Sequence, residues 1–285
     1  MILRKSAAEV ELMAKAGAVV ARLHEVLREA VRPGVSTADL DAVAEREIRN
    51  SGAVPSFKGY RGFPATLCTS VNQQIVHGIP SGDVVLHQGD LIKLDAGAIL
   101  DGYHGDSAVT WVVGDESAAD PAVLALVART RAGLWAGLGQ ARAGNRLTDI
   151  SAAVEGHALP HGYGVVREYV GHGIGRALHE DPHVPNYGRP GRGPKLVAGL
   201  VLAVEPMFNL GSAETEVLDD DWTVVTADGS LSSHWEHTVA VTDDGPWVLT
   251  ARSDEPAWPL REPERVPSAA AAYGSATVLD ERRAG

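Results

Sequence analysis

The stretch Leu94-Asp95-Ala96-Gly97-Ala98-Ile99-Leu100-Asp101-Gly102-Tyr103-His104-Gly105-Asp106 leaves this chain few ways to fold. Apolar and β-branched residues lead up to Asp95, Asp101-Gly102 is a strong two-residue hairpin turn, and Ser107 to Val113 runs back. About that turn, facing residue numbers sum to 203, so Asp95 faces Ala108 and Asp106 lies two positions away on the same face. Diagonal neighbours of this kind have β-carbons about 7 to 8 Å apart, which suits two acids flanking a small cation.

The remaining chain is large enough to bury a real core: 285 residues, 45% of them hydrophobic, fit one generous domain or two small ones. A formal charge of −12 argues against a nucleic-acid backbone or an anionic membrane as the main partner. With Cys68 as the single cysteine there can be no intrachain disulfide and no thiolate-rich zinc site, so a reducing compartment is expected. No secretory leader pattern and no run of 18 apolar residues is present, which gives the expectation of a soluble, cytoplasmic protein.

Ser6 and Glu9 form a capping-box pattern for a helix running to about Val31, stopped by Pro33-Gly34, and a second helix is expected from near Ser36 to Asn50. The stretch 53–64 reads as a loop presenting Phe57, Tyr60 and Phe63. Strands are expected at 66–71, from Leu91, at 165–170 and at 200–204, with helices at 118–141 and 149–159. Trp222 to Thr226 and Leu231 to Val241 read as a second hairpin about Asp228-Gly229. Helices followed by a hairpin in each half hint at a duplicated α/β unit. From Arg252 onward prolines and an alanine run replace the periodic pattern, so 252–285 is expected to be a flexible tail behind a catalytic domain spanning 1–251.

Three further clusters put ionisable groups where local rules disfavour them. His172 sits among three glycines in Gly171-His172-Gly173-Ile174-Gly175, which would let backbone pass close to a ligand or metal. Glu205 ends the buried-strand run Leu200 to Val204, a costly place for a lone acid. Glu236, in Ser233-His234-Trp235-Glu236-His237, lies inside the expected second hairpin. Together Asp95, Asp106, His172, Glu205 and Glu236 make a hard, oxygen-rich set with one nitrogen, suited to two divalent first-row cations. Four carboxylates gathered without a cation would repel one another. Two metals about 3.5 to 4 Å apart can share a bridging hydroxide that attacks a carbonyl, so the expected reaction is hydrolysis.

In the motifs SVNQQIVHGIP, LDAGAILDGYHGD, VGHGIGRALHEDPHVPN, AVEPM and WTVVTADGSLSSHWEHT the chain resembles the methionine aminopeptidases of the pita-bread fold, most closely type I, over roughly residues 1 to 250. The resemblance implies an α/β (α+β) fold of two pseudo-symmetric halves with antiparallel sheet around a dimetal site. It assigns Asp95 to one metal, His172 and Glu205 to the other, and Asp106 and Glu236 to the bridge. His77 and His179 would contact substrate and steady the carbonyl oxygen, and Glu205 would help move protons to the leaving amine. A methionine side-chain pocket would be lined by Phe57, Tyr60, Phe63, Cys68, Leu178 and Trp222. The metals would be manganese, iron, cobalt or zinc, the partners peptide or nascent-chain N-termini bearing methionine near the ribosome, and the state monomeric.

Two alternatives accompany this reading. Asp95-Ala96-Gly97-Ala98 is nearer to the proline-directed relatives, so an Xaa-Pro peptidase is the first, and Leu178 and Phe63 stand where the relatives commonly carry an aromatic and a tyrosine. Those relatives carry a sizeable N-terminal domain, whereas about 94 residues precede Asp95 here, and the 33-residue spacing from His172 to Glu205 leaves no room for the type II insertion. A non-catalytic pita-bread protein that binds partners is the second alternative.

Overall fold

A computed structural model of the chain describes residues 1–256, and the expected tail beyond them, 257–285, lies outside the described residues. Helix α1 (Ala7–Ala30) starts at the Ser6/Glu9 capping box and α2 (Thr37–Asn50) at a second box, Ser36 with Asp39. Short strands β1 (Val54–Pro55), β2 (Leu67–Val71) and β3 (Gln74–Val76) lead to the long hairpin of β4 (Leu91–Leu100) and β5 (Tyr103–Val112). Helices α3 (Pro121–Gln140) and α4 (Leu147–Ala158) follow, then β6 (Gly164–Val165), β7 (Gly171–Gly173), β8 (Glu180–Val184), β9 (Val201–Val204) and β10 (Met207–Asn209). The last strands are β11 (Thr215–Val217), β12 (Val224–Thr226), β13 (Ser232–His234), β14 (His237–Thr242) and β15 (Gly245–Val248).

The β4–β5 register is the expected one, Asp95 opposite Ala108 and Leu100 opposite Tyr103, with Asp101 and Gly102 both at positive φ (53° and 78°) as the tight turn requires. Helix α1 crosses this hairpin so closely that a β-carbon on Gly105 would lie 2.7 Å from the Gly17 backbone nitrogen. Gly17 itself is kept small by a different neighbour, since a β-carbon there would lie 2.2 Å from Leu249 O.

The two halves repeat one another bond for bond at an interval of 110 residues. Gly34 N–H donates to Leu86 O and Gly144 N–H to Leu196 O, Thr37 N–H to Val84 O and Leu147 N–H to Pro194 O. The bridge Ser36–Val85 has its counterpart in Arg146–Lys195, and Gly89 and Gly199 share φ near 88°. This interval carries Asp95 onto Glu205, so the two acids occupy equivalent places. One large core joins both halves, from Leu23 and Leu94 to Leu138, Leu202 and Val239.

The expected second hairpin is corrected. The chain does turn at Asp228-Gly229, but β12 pairs with β11 and β3, whereas β13 pairs with β10, so the two arms enter different sheets. The partner of β14 is β9, and β14 also forms a hairpin with β15 that the sequence reading did not separate. The strand expected over 165–170 is only Gly164–Val165.

The expected tail also begins differently. Arg252 and Glu255 are packed, with Arg252 Nη2 donating to Glu255 Oε1 at 2.6 Å, Arg131 Nη2 to the same oxygen at 3.1 Å, and His237 Nε2 3.2 Å from Glu255 Oε2. Burial of these charges is tolerated because each has an opposite partner. Among the described residues no helix is long and apolar enough to cross a membrane.

Candidate metal and peptide-binding site

Glu205 and Glu236 face each other across an interruption shared by two strand pairs. Val204 opposite His237 (β9–β14) and Met207 opposite His234 (β10–β13) keep one register, and between them only the Trp235 N–H to Pro206 O bond bridges Glu205-Pro206 and Trp235-Glu236. Proline cannot donate to a ladder, so the strands part there and leave two carboxylates at the seam. The first-half hairpin docks on the same seam. Glu236 N–H donates to Ala108 O, Ser107 Oγ to Glu236 O, and the Thr238 hydroxyl accepts from Asp106 N–H and donates to Asp106 O.

His172 reaches the cluster from β7, hydrogen-bonded on both sides, to β8 and β9. Its glycines serve these neighbours rather than a ligand: a β-carbon on Gly171 would lie 2.3 Å from Ala203 O, and one on Gly173 2.1 Å from Asp181 O. His172 Nδ1 must donate to the Gly173 carbonyl at 2.9 Å, which leaves Nε2 with a bare lone pair. That nitrogen lies 3.6 Å from Glu205 Oε1 and 3.9 Å from Asp106 Oδ2. Burial lowers its basicity to a pKa of about 4, so the ring is neutral near pH 7.

Ligand atoms of Asp106, His172 and Glu236 all lie within 4.8 Å of one another. Among the described residues, Asp95 Oδ1, Asp106 Oδ1 and Glu236 Oε1 are buried without a hydrogen-bond partner. Desolvation pushes the Asp95 carboxyl up to about 7, and desolvation together with neighbouring carboxylates pushes Asp106, Glu205 and Glu236 well above the carboxylate range. Such a donor set, acids strained by mutual repulsion around a bare imidazole nitrogen, fits divalent cations.

A cleft of about 520 Å³ opens on this cluster, lined by His77, Tyr169, His172, His179, Arg61 and Glu205 among others. The His179 ring lies tilted by 49° against the His172 ring, centroids 4.2 Å apart, and shares a 2.9 Å hydrogen bond between its Nδ1 and the Tyr60 hydroxyl. Partial desolvation, with His172 and Arg61 adding, lowers its basicity. His77 has a left-handed backbone (φ 60°) and lies edge-on to Tyr169 and Trp222. A non-glycine residue in that region is held there by its surroundings, a pattern common at functional sites.

The six expected pocket residues come together: Phe57, Phe63, Cys68 and Leu178 are buried in one cluster with Tyr60 and Trp222 at its edge, and Phe63 meets Trp222 at 5.1 Å. Cys68 faces Asp95 across β2 and β4. Burial, with the Asp95, Asp106 and Glu236 charges, drives its thiol pKa up, so it presents a neutral sulfur.

Sequence reasoning missed Tyr169, Asn186, whose Nδ2 donates to Glu205 O at 2.9 Å, and His234, buried beside Glu205. His234 was visible within the His234-Trp235-Glu236-His237 cluster, yet strand alternation alone does not tell which of two histidines faces an acid.

A profile of metallopeptidase family M24 matches residues 11–243. The chain is 53% identical to the methionine aminopeptidase of Clostridium acetobutylicum over 252 residues, 88% of this chain and 99% of that one. It is 55% identical to methionine aminopeptidase 1 of Mycobacterium tuberculosis over 253 residues, 87% and 94% of the two chains. The crystal structure of the Thermotoga maritima methionine aminopeptidase superposes with a TM-score of 0.86 at 40% identity, covering 88% of this chain and all of that one. An Xaa-Pro dipeptidase from Bacillus anthracis shares the fold with a TM-score of 0.70 at 24% identity, and this chain covers 63% of it.

Proposed function

Since the chain belongs to metallopeptidase family M24, among its type I methionine aminopeptidases, we propose that it removes methionine from the N-termini of peptides and nascent proteins whose second residue is small. It is a metal-dependent hydrolase of the pita-bread fold. The observation that carries the proposal is the convergence of four carboxylates and the bare His172 Nε2 beside an apolar, aromatic cluster. The Xaa-Pro and non-catalytic alternatives are disfavoured by relatives that are methionine aminopeptidases at about half identity over nearly their full length.

We assign two divalent cations to Asp95, Asp106, His172, Glu205 and Glu236, and place the enzyme in the cytoplasm, acting as a monomer on chains leaving the ribosome. When bound, such cations polarise a carbonyl and lower the pKa of water. The protein's own part follows from its side chains. Phe57, Tyr60, Phe63, Cys68, Leu178 and Trp222 take the methionine side chain, whose thioether gains sulfur–aromatic contacts. His77 and His179, neutral and capable of donating, stabilise the carbonyl oxygen as charge builds on it, and the Tyr60 hydroxyl fixes the His179 ring. Glu205, with its carboxyl pKa raised, accepts a proton and passes it to the leaving amine.

Cleavage of Met-Ala-Ser and Ala-Pro-Ala after reconstitution with manganese, iron, cobalt or zinc tests this. Preferential release of methionine is expected, and preference for the proline peptide would sink the proposal.

A further inference from the structure

His234 closes β13 with 1% of its surface exposed, and among the described residues neither ring nitrogen has a hydrogen-bond partner. A neutral imidazole always carries one N–H, so one buried donor is left over, a costly arrangement unless a partner comes within reach. The acceptor at hand is Glu205: His234 Nε2 stands 3.7 Å from Glu205 Oε2, while Oε1 of the same carboxylate stands 3.6 Å from the bare Nε2 of His172. Glu205 is thus held between two imidazoles with different tasks. His172 has its tautomer fixed by the Gly173 carbonyl and can only offer a lone pair, whereas His234 has no such constraint and is free to offer its proton.

The backbone of His234 cannot drift from this place. Thr110 Oγ1 accepts from His234 N–H at 2.9 Å and donates to His234 O at 2.6 Å, and Met207 pairs with it from β10. The carboxylate is the movable member, and the Asn186 amide pins only its main-chain carbonyl. A side-chain rotation of Glu205 that shortens the 3.7 Å gap by less than about 1 Å makes a hydrogen bond of ordinary length.

We propose that His234 is a positioning residue for Glu205, donating Nε2–H to Oε2 so that Oε1 is presented toward the space it shares with His172. The inference rests on the metal-ligand assignment proposed above. It concerns the order in which the carboxylate oxygens are used: Oε2 is committed to the protein, Oε1 to the cation. Partners of this kind orient ligating groups and set affinity from behind them.

The test compares His234→Leu, which removes the donor, with His234→Gln, which restores an N–H on a similar reach. Each is stripped with chelator and titrated with cobalt(II) by calorimetry and by visible absorption. His234→Leu is expected to weaken cobalt(II) binding at least tenfold and to shift the ligand-field bands, with melting of the stripped protein little changed. His234→Gln should return affinity to within about threefold of wild type and restore the bands. Wild-type affinity in His234→Leu, or equal impairment in both variants, overturns the proposal. If His234→Leu does not fold, long-range nitrogen–proton spectra of the wild-type imidazoles decide. Zinc addition should give one slowly exchanging, downfield Nε2–H at His234, and an Nδ1–H tautomer, or no change, overturns it. Cobalt(II) affinity does not depend on the peptide cleaved, so a wrong assignment of substrate would leave this outcome readable. A protein that binds no divalent cation would instead refute the ligand assignment beneath it.

Discussion

Asp95→Asn should reverse the order of stability between this protein and its variant, depending on whether metal is present. In the metal-free protein, desolvation raises the Asp95 pKa from 3.8 to about 7. Between those values the folded state holds a proton that the unfolded state has released, so stability falls as pH rises through the interval. The loss is absent below about pH 4 and complete above pH 7. A difference of roughly 3 pKa units corresponds to about 4 kcal/mol. Asparagine has the same shape and keeps an acceptor for the Ala96 N–H that reaches Asp95, without the charge. In chelator at pH 8 the variant is therefore expected to be more stable by up to about 4 kcal/mol, a rise in melting temperature on the order of 10 °C for a chain this long. Lowering the pH to 4.5 should shrink that advantage to about 1 kcal/mol or less. Excess divalent metal at pH 8 should bring the wild type level with the variant or ahead of it, because a ligand at a thousand times its Kd adds about 4.1 kcal/mol per site to the state that binds it. Urea unfolding with and without metal at both pH values reads all four quantities. A variant that is less stable than wild type in chelator at pH 8 would refute the claim that the carboxylates are gathered at a cost.

Other outcomes check separate links. Glu236→Ala and Asp106→Ala should abolish turnover, and His179→Ala should lower kcat more than it raises KM, measured with a methionyl peptide. Gly105→Ala drives a methyl into the α1 backbone, 2.7 Å from Gly17 N and 2.9 Å from Ala16 C; it should cost about 1–3 kcal/mol in urea unfolding and lower metal occupancy by displacing Asp106. Glu255→Ala removes the acid shared by Arg252, Arg131 and His237, and a loss of about 3–5 kcal/mol is expected. His24, fully buried with Nε2 donating to Ser107 O, has its pKa lowered by burial to about 3, so the unfolded state binds the extra proton below pH 6.5. Stability should then fall with pH, by about 2 kcal/mol at pH 5 from this group alone, and His24→Gln should flatten that dependence.

What the sequence could reveal depended on whether the interaction was local. The Asp101-Gly102 turn fixes the β4–β5 register from two residues, and the Ser6/Glu9 box fixes the start of α1 from four, so both are legible without tertiary information. The second hairpin fails for the complementary reason. A turn at Asp228-Gly229 specifies only that the chain reverses, and the arms then pair with strands distant in sequence, β12 with β3 (Val225 opposite Gln74) and β13 with β10, which win over the local partner. Glu236 shows how a site residue can be found despite the wrong frame. It was expected within a strand and lies at the seam opposite Glu205, yet an acid bordered by buried residues is conspicuous in either setting.

The glycines about His172 show the reverse case, in which a sound local observation led to the wrong cause. Gly171 and Gly173 do admit close approach, but what approaches is the backbone of β9 and of the chain at Asp181, and His172 is aimed by being laced between strands on both sides. His234 was passed over because its role lies in neither its neighbours in sequence nor its strand propensity. It depends on the register by which β13 continues across the break into β14, which brings an imidazole of the second half alongside Glu205. The 110-residue repeat makes the same point for the whole site. Asp95 and Glu205 are equivalent positions, but only the Asp95 strand is followed at once by its return strand. The Glu205 strand reaches its return partner, β14, after an excursion through β11 and β12. That excursion carries Trp222 to Phe63 and His77, so the insertion that hid the second half's symmetry from a linear reading also furnishes one wall of the proposed methionine pocket.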